Sequence, residues 1–417
     1  MLGLFAVISI SVAGRPELEG MSKAELIDRI YSLEAKLQPQ RQKLWPELQK
    51  TPTMMWNGWL PMTRGLIPGM KNNETLYYAA VDRLVSSGLR DAGYDTIAAT
   101  CMGWERDPVT KKLRANPKTW PRGFKNWVSY AHEKKIKICA YSDTGVLNCC
   151  GGAATSNGKP EPGMFGYEEL DIATFAEWGA SPLCLYACVG FDFRLYRVNP
   201  NILLFICVPP TPHTHTFLFI FILILLLLLL GVDHIAVDNC DSPNTTAQSV
   251  FEYQRVHDAL LKVGHPMVFG IWNGGSGKPW SWAPYLGHYW RTGPDLGTKW
   301  EGRVVAKEGV TSSVDIMSVM YNYDLQQSIP SLDSISGPGS FALLDNLALG
   351  LPPGVPHKGD PGLTLVEAST HMAIWCIMSS PLIINYNIFA PDRGTVDPEV
   401  VKIVMHDEAI AINQVFK

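Results

Sequence analysis

From Thr51 onward the apolar positions fall into one recurring unit: apolar residues along one helical face, a break usually marked by glycine, then a short apolar run ending in polar or aromatic residues. Residues 76–92 lead through Gly93 into YDTIAAT, residues 124–134 lead into IKICAYSD, and residues 247–263 lead through Gly264 into HPMVFGIWN. Helices alternating with buried strands predict βαβ units and a parallel sheet. With MMWNGW ahead of the first helix and PLIIN near the end, about eight strands can be counted. That number predicts an α/β chain folded as a (β/α)8 TIM barrel, whose active site lies at the C-terminal ends of the strands. A doubly wound open sheet is the alternative, and no GxGxxG follows a first strand to support it.

Two regions depart from this rhythm. Residues 1–50 begin with an apolar stretch followed by Ala13 and Gly14, resembling a signal peptide that lacks a basic start. Ser22 and Glu25 then have capping-box spacing, and Leu26, Ile30, Leu33 and Leu37 recur on one face of a short packing or linker helix. The second region is residues 180–231. It separates an amphipathic segment closed by Gly179 from the strand VDHIAVDNC, and it ends in the unbroken apolar run FLFIFILILLLLLL. Fourteen such residues are short for a membrane span, and a buried strand does not need six consecutive leucines. Phe, Leu and Ile codons all carry T at the second position, so the run is what a pyrimidine-rich tract before a splice acceptor would encode. Residues 180–231 therefore read as a translated intron, the other readings being a poorly folded insertion or a membrane element. The catalytic domain is expected over residues 51–417, interrupted by this insert.

Composition narrows the partners. A content of 47% apolar residues with 13 Trp and 15 Tyr is globular, and a net charge of −4 without a basic stripe argues against nucleic acid. The nine cysteines include no CxxC pair, and the ten histidines show no HxxxH or HExxH spacing, so no metal site is predicted. Asn73-Glu74-Thr75 and Asn244-Thr245-Thr246 read as glycosylation acceptors of a secreted chain. Two carboxylates stand out: Asp238, directly after an apolar strand-like run, and Asp295, four residues after Arg291. Two carboxylates delivered from different strand ends are the equipment for cleaving a glycosidic bond.

These motifs resemble glycoside hydrolase family 27, the α-galactosidase and α-N-acetylgalactosaminidase group. TPTMMWNGW resembles the family's opening TPPMGWNSW, which puts Trp59 in the sugar pocket. AYSDTG, carrying Tyr141 and Asp143, is similar to IYSDAG, and the resemblance implies that both contact substrate. It also implies a disulfide from Cys149 or Cys150 to Cys240, leaving Cys101 without a partner. VDNC resembles YDNC, making Asp238 the nucleophile, and WRTGPD is similar to WRTTGD, making Asp295 the acid/base and Arg291 a ligand of sugar hydroxyls. GPGSFALLDNLALG has the frame of GPGGWNDPDMLEVG, with Asp345 on the second aspartate; SSPLIINYNI and AIAINQ echo the last strand and the end of the barrel.

The resemblance implies a retaining hydrolase of terminal α-linked glycosides that forms a covalent glycosyl-aspartate and needs no cofactor, its two carboxyls about 5 Å apart. The acid is expected to have a raised pKa. Carbohydrate is the expected partner, no membrane partner is expected, and the setting is secreted or lysosomal/vacuolar. The departures bear on substrate. The family's second strand ends in Asp-Asp-Cys, which holds the 4- and 6-hydroxyls of galactose, and here it reads Ala99-Thr100-Cys101. Ala236 replaces a lysine, Gly270-Ile271-Trp272 lacks a glutamate, and positions 341–344 are apolar where the family has Trp-Asn-Asp-Pro. The chain stops at Lys417, so the usual C-terminal β-sandwich is not expected. A catalytically inactive carbohydrate-binding relative is the alternative function, and a non-functional product the third reading.

Overall fold

The computed structural model describes residues 44–415 apart from 64, 68–71, 151–159, 180–191, 200–201, 209–231, 241–244, 302–317, 356–358 and 390–396. The predicted N-terminal helix and the run at 217–230 lie outside the described residues, as does Asn244.

Eight strands form one parallel sheet: β1 (Met54–Asn57), β2 (Thr96–Ala99), β3 (Lys137–Asp143), β4 (His234–Asp238), β5 (Val268–Ile271), β6 (Tyr289–Arg291), β7 (Phe341–Leu343) and β8 (Leu382–Ile384). Their order is β7-β6-β5-β4-β3-β2-β1-β8. The remaining seam is joined beyond β7, where Leu347 bridges Ile384 in parallel and its N–H donates to Ile383 O at 2.7 Å. The sheet curls as a (β/α)8 barrel requires. Helices follow most strands: α1 (Glu74–Ser86), α2 (Phe124–Glu133), α3 (Glu168–Glu177), α4 (Thr246–Val263), α5 (Val319–Gln327) and α6 (Leu365–Ile377), with α7 (Pro398–Val404) and α8 (Asp407–Gln414) after β8. After β5 the chain makes only two 3-10 turns, Pro279–Ser281 and Ala283–Tyr285.

The strands alternate strictly between two cores, as a period-2 side-chain pattern dictates. Met55, Ala98, Cys139, Ala236, Val268, Tyr289, Phe341 and Ile383 fill the barrel interior. Trp56, Ile97, Ile138, Ile235, Phe269, Trp290, Ala342 and Ile384 pack outward into the helix layer. Gly270 serves the interior, because a Cβ there would sit 2.2 Å from the Tyr289 ring. The same alternation turns Asn57, Thr100, Tyr141, Asp238, Trp272, Arg291, Asp345 and Asn385 inward at the C-terminal mouth. It also puts Ala99 in the outer core, so at β2 only Thr100 reaches the cleft.

Capping residues fix the starts of α1, α4 and α6. Asn73 accepts from Leu76 N at 3.3 Å and Thr245 from Gln248 N at 3.2 Å, while Thr364 and Glu367 form a reciprocal capping box on α6. Within residues 180–231, Asp192–Asn199 and Ile202–Val208 pair antiparallel as a two-stranded sheet of their own. Where the chain resumes, Val232 N donates to Phe175 O at 3.2 Å, so it re-enters beside the end of α3.

Cys101, expected to be unpaired, is bonded to Cys150, and Cys149 is bonded to Cys240, each with Cα atoms 5.4 Å apart. The sequence reading assigned only one of the adjacent cysteines, whereas their side chains diverge and staple the β3 loop to both neighbours. Among the described residues Cys139 and Cys376 are free and buried.

Candidate active site

A cleft of about 400 Å³ opens at the C-terminal ends of the strands. Trp59, Tyr141, Asp238, Arg291, Asp295 and Asp345 all line it. A smaller hollow of about 290 Å³ lies at the other end of the barrel, among Thr51, Thr96 and Lys137, and holds none of the predicted site residues.

Asp238 ends β4 and is half-buried. Tyr141 Oη donates to its Oδ2 at 2.9 Å and Asn239 N to its Oδ1 at 2.9 Å. Burial pushes its carboxyl up to about 6, and the charge of Asp295 pushes the same way against the hydrogen bonds from Asn239 and Tyr141 and the charge of Arg291. In this cleft burial pushes up two carboxyls, Asp238 and Asp345.

Arg291 ends β6 and is only 4% exposed, with its guanidinium occupied by protein. Nε and Nη2 donate to Gly293 O at 3.2 and 3.0 Å, Nη2 also to Asp295 Oδ1 at 3.0 Å, and Nη1 pairs with Asp345 Oδ1 at 2.9 Å. It therefore aligns two carboxylates and is largely spent before any sugar arrives. Asp295 is the exposed member of the group, with 47% of its side chain accessible, and Arg291 holds it through Oδ1. Behind it, Asn322 on α5 donates to Pro294 O and Leu344 O, both at 2.8 Å, fixing the turn that carries Asp295.

Asp345 sits at φ 135°, a conformation L-residues rarely adopt and which costs on the order of 1–3 kcal/mol. Trp375 Nε1 donates to its carbonyl at 2.8 Å, and Leu296 N donates to its Oδ2 at 2.7 Å. Burial raises its carboxyl pKa against the opposing pull of Arg291.

Asp143 is the exception among the predicted ligands. It is fully buried, Gly145 N donates to its Oδ1 at 2.6 Å and Cys240 N to its Oδ2 at 2.9 Å, and it does not line the cleft. Two loop amides close over the carboxylate, so it organises the strand ends and does not face a substrate. Asp143 also lies within ligand distance of the Cys149 and Cys240 sulfurs, but those sulfurs are bonded to each other.

The cleft also contains Thr100 and Trp272, which the sequence marks only as departures from the family pattern, and Asn57, Asn273, Asn346 and Asn385, which it does not mark at all. The available signal was position. Each stands at a strand end on the inward parity or one residue beyond it.

A family model described as Alpha galactosidase A matches residues 51–197 and 226–415. Alpha-galactosidase A of Cellvibrio japonicus is 28% identical over 386 residues, covering 92% of this chain and 72% of that one. Alpha-galactosidase 2 of Arabidopsis thaliana is 25% identical over 368 residues, covering 88% and 67%. Alpha-galactosidase I from Mortierella vinacea superposes with a TM-score of 0.61 at 23% identity, covering 87% of this chain and 72% of that structure, which bears on fold alone.

Proposed function

Because the chain belongs to the alpha galactosidase A family, the glycosidases of glycoside hydrolase family 27, we propose that it is a retaining glycosidase cleaving terminal α-linked glycosides through a covalent glycosyl-aspartate. The observation that carries this reading is the placement of Asp238 and Asp295 on different strand ends of one cleft, close enough for the charge of one to raise the other's pKa.

In the first step an Asp238 oxygen bonds to the anomeric carbon as the bond from that carbon to the leaving oxygen breaks, and the proton of Asp295 goes to the leaving oxygen. In the second, Asp295 takes a proton from water, whose oxygen bonds to the same carbon and releases the Asp238 carboxylate. Tyr141 and Asn239 N hold the nucleophile in position. Arg291 aligns Asp295 and Asp345 and supplies positive charge as the carboxylates cycle. The substrate is a carbohydrate. No helix among the described residues is long and apolar enough to cross a membrane. The two disulfides fit a secreted or lysosomal/vacuolar setting.

The test is turnover of a panel of aryl α-glycosides and aryl β-L-arabinopyranoside. Asp238→Asn should reduce turnover by at least about a thousandfold with the fold intact. Asp295→Ala should harm poor leaving groups far more than activated aryl ones. Sugar binding without turnover of any panel member would move the chain to a carbohydrate-binding relative.

A further inference from the structure

The inward residues at the mouth divide by strand. β4, β6 and β7 present Asp238, Asp295 and Asp345 around Arg291; β8, β1 and β2 present the neutral Asn385, Asn57 and Thr100. Asn57 is committed, since its Oδ1 accepts from Trp59 N at 3.0 Å and from Thr100 Oγ1 at 3.3 Å.

Asn385 is not committed in this way. It is 4% exposed and lines the cleft, and its Oδ1 is buried without a hydrogen-bond partner. Asn346 also lines the cleft, and its Oδ1 is buried and unpartnered too. The two flank the bridge between Leu347 and Ile384. Indoles fix the backbone beside each: Trp375 Nε1 holds Asp345 O at 2.8 Å, and Trp56 Nε1 holds Tyr386 O at 3.0 Å. Buried acceptors in native proteins are nearly always satisfied, and an exception at a functional cleft points to a ligand donor.

We propose that Asn346 and Asn385 read the hydroxyls of the bound sugar, and that they select an uncharged pyranose by accepting O–H donors on their two carbonyl oxygens. The charge of the cleft supports the second half. Arg291 is the one Lys or Arg among the described residues lining the cleft and is already paired with Asp295 and Asp345, so a uronate or a sulfated sugar would find no spare cation there, whereas hydroxyls only need acceptors. The inference rests on reading the cleft as a sugar site, not on turnover.

Calorimetric titration of the full chain with D-galactose, L-arabinose and D-galacturonate tests it. At least one neutral sugar should bind, galacturonate should bind more weakly than galactose, and Asn385→Ala and Asn346→Ala should each weaken binding of the neutral sugar roughly tenfold. Failure of both neutral sugars to bind, galacturonate binding as tightly as galactose, or dissociation constants within twofold of the parent in both variants would overturn it. If an alanine variant melts early, Asn385→Leu and Asn346→Leu preserve volume, and the same tenfold loss or its absence decides. Sugar binding with these losses but without turnover of any aryl glycoside supports this proposal while defeating the glycosidase reading.

Discussion

Tyr141 helps to set the working range of Asp238. Burial and Asp295 raise the carboxyl, and the Asn239 amide, the Tyr141 hydroxyl and Arg291 hold the rise to about 6. A nucleophile must be ionised, so activity should fall as pH drops through about 6. Tyr141→Phe removes a bond that favours the charged form, which moves the acid limb of the kcat/KM profile to higher pH. A profile superimposable on the parent's would remove Tyr141 from this role. At this scale the sequence was legible for Asp238, Asp295, Arg291 and Asp345, each marked by a short motif at a strand end. It misled at Asp143, because nothing in AYSDTG announces that Gly145 N and Cys240 N will close over the carboxylate. It was silent on Asn385, which PLIIN presents as the polar end of a strand and nothing more.

Among the elements, the strands could be read because each is a short apolar run bounded by a turn signal, and the alternation that fills the interior also aims the site. The loops could not, since their geometry depends on partners distant in sequence. Cys101 and Cys150 are separated by 49 positions, and the bond between them ties the loop after β2 to the loop after β3. Closing a loop of that length restricts the unfolded chain by about 4 kcal/mol in the chain-entropy account. Cys101→Ser with Cys150→Ser should therefore lower the denaturant midpoint under oxidising conditions, with Cys149–Cys240 left in place. An unchanged midpoint would mean that native contacts between these loops already do the same work.

For the whole molecule, residues 180–231 interrupt a barrel that does not depend on them for its strand order. Val232 N meets Phe175 O, so the ends of the interruption lie close together, and the family match itself skips 198–225. Deleting 180–231 and joining the ends through a short glycine-serine turn should give a folded protein whose melting temperature is at least that of the full chain. Loss of cooperative melting would show that the barrel needs the insert. The seam between β7 and β8 has a consequence at this scale as well. Every other pair of neighbouring strands shares a ladder, whereas this seam has the bridge at Leu347 and Ile384. A cylinder hooped so unevenly breathes first where the hoop is thinnest, and Asn346 and Asn385 stand on either side of that place. An occupant bonded to both would act as the missing stave, so filling the cleft and tightening the cylinder become one event.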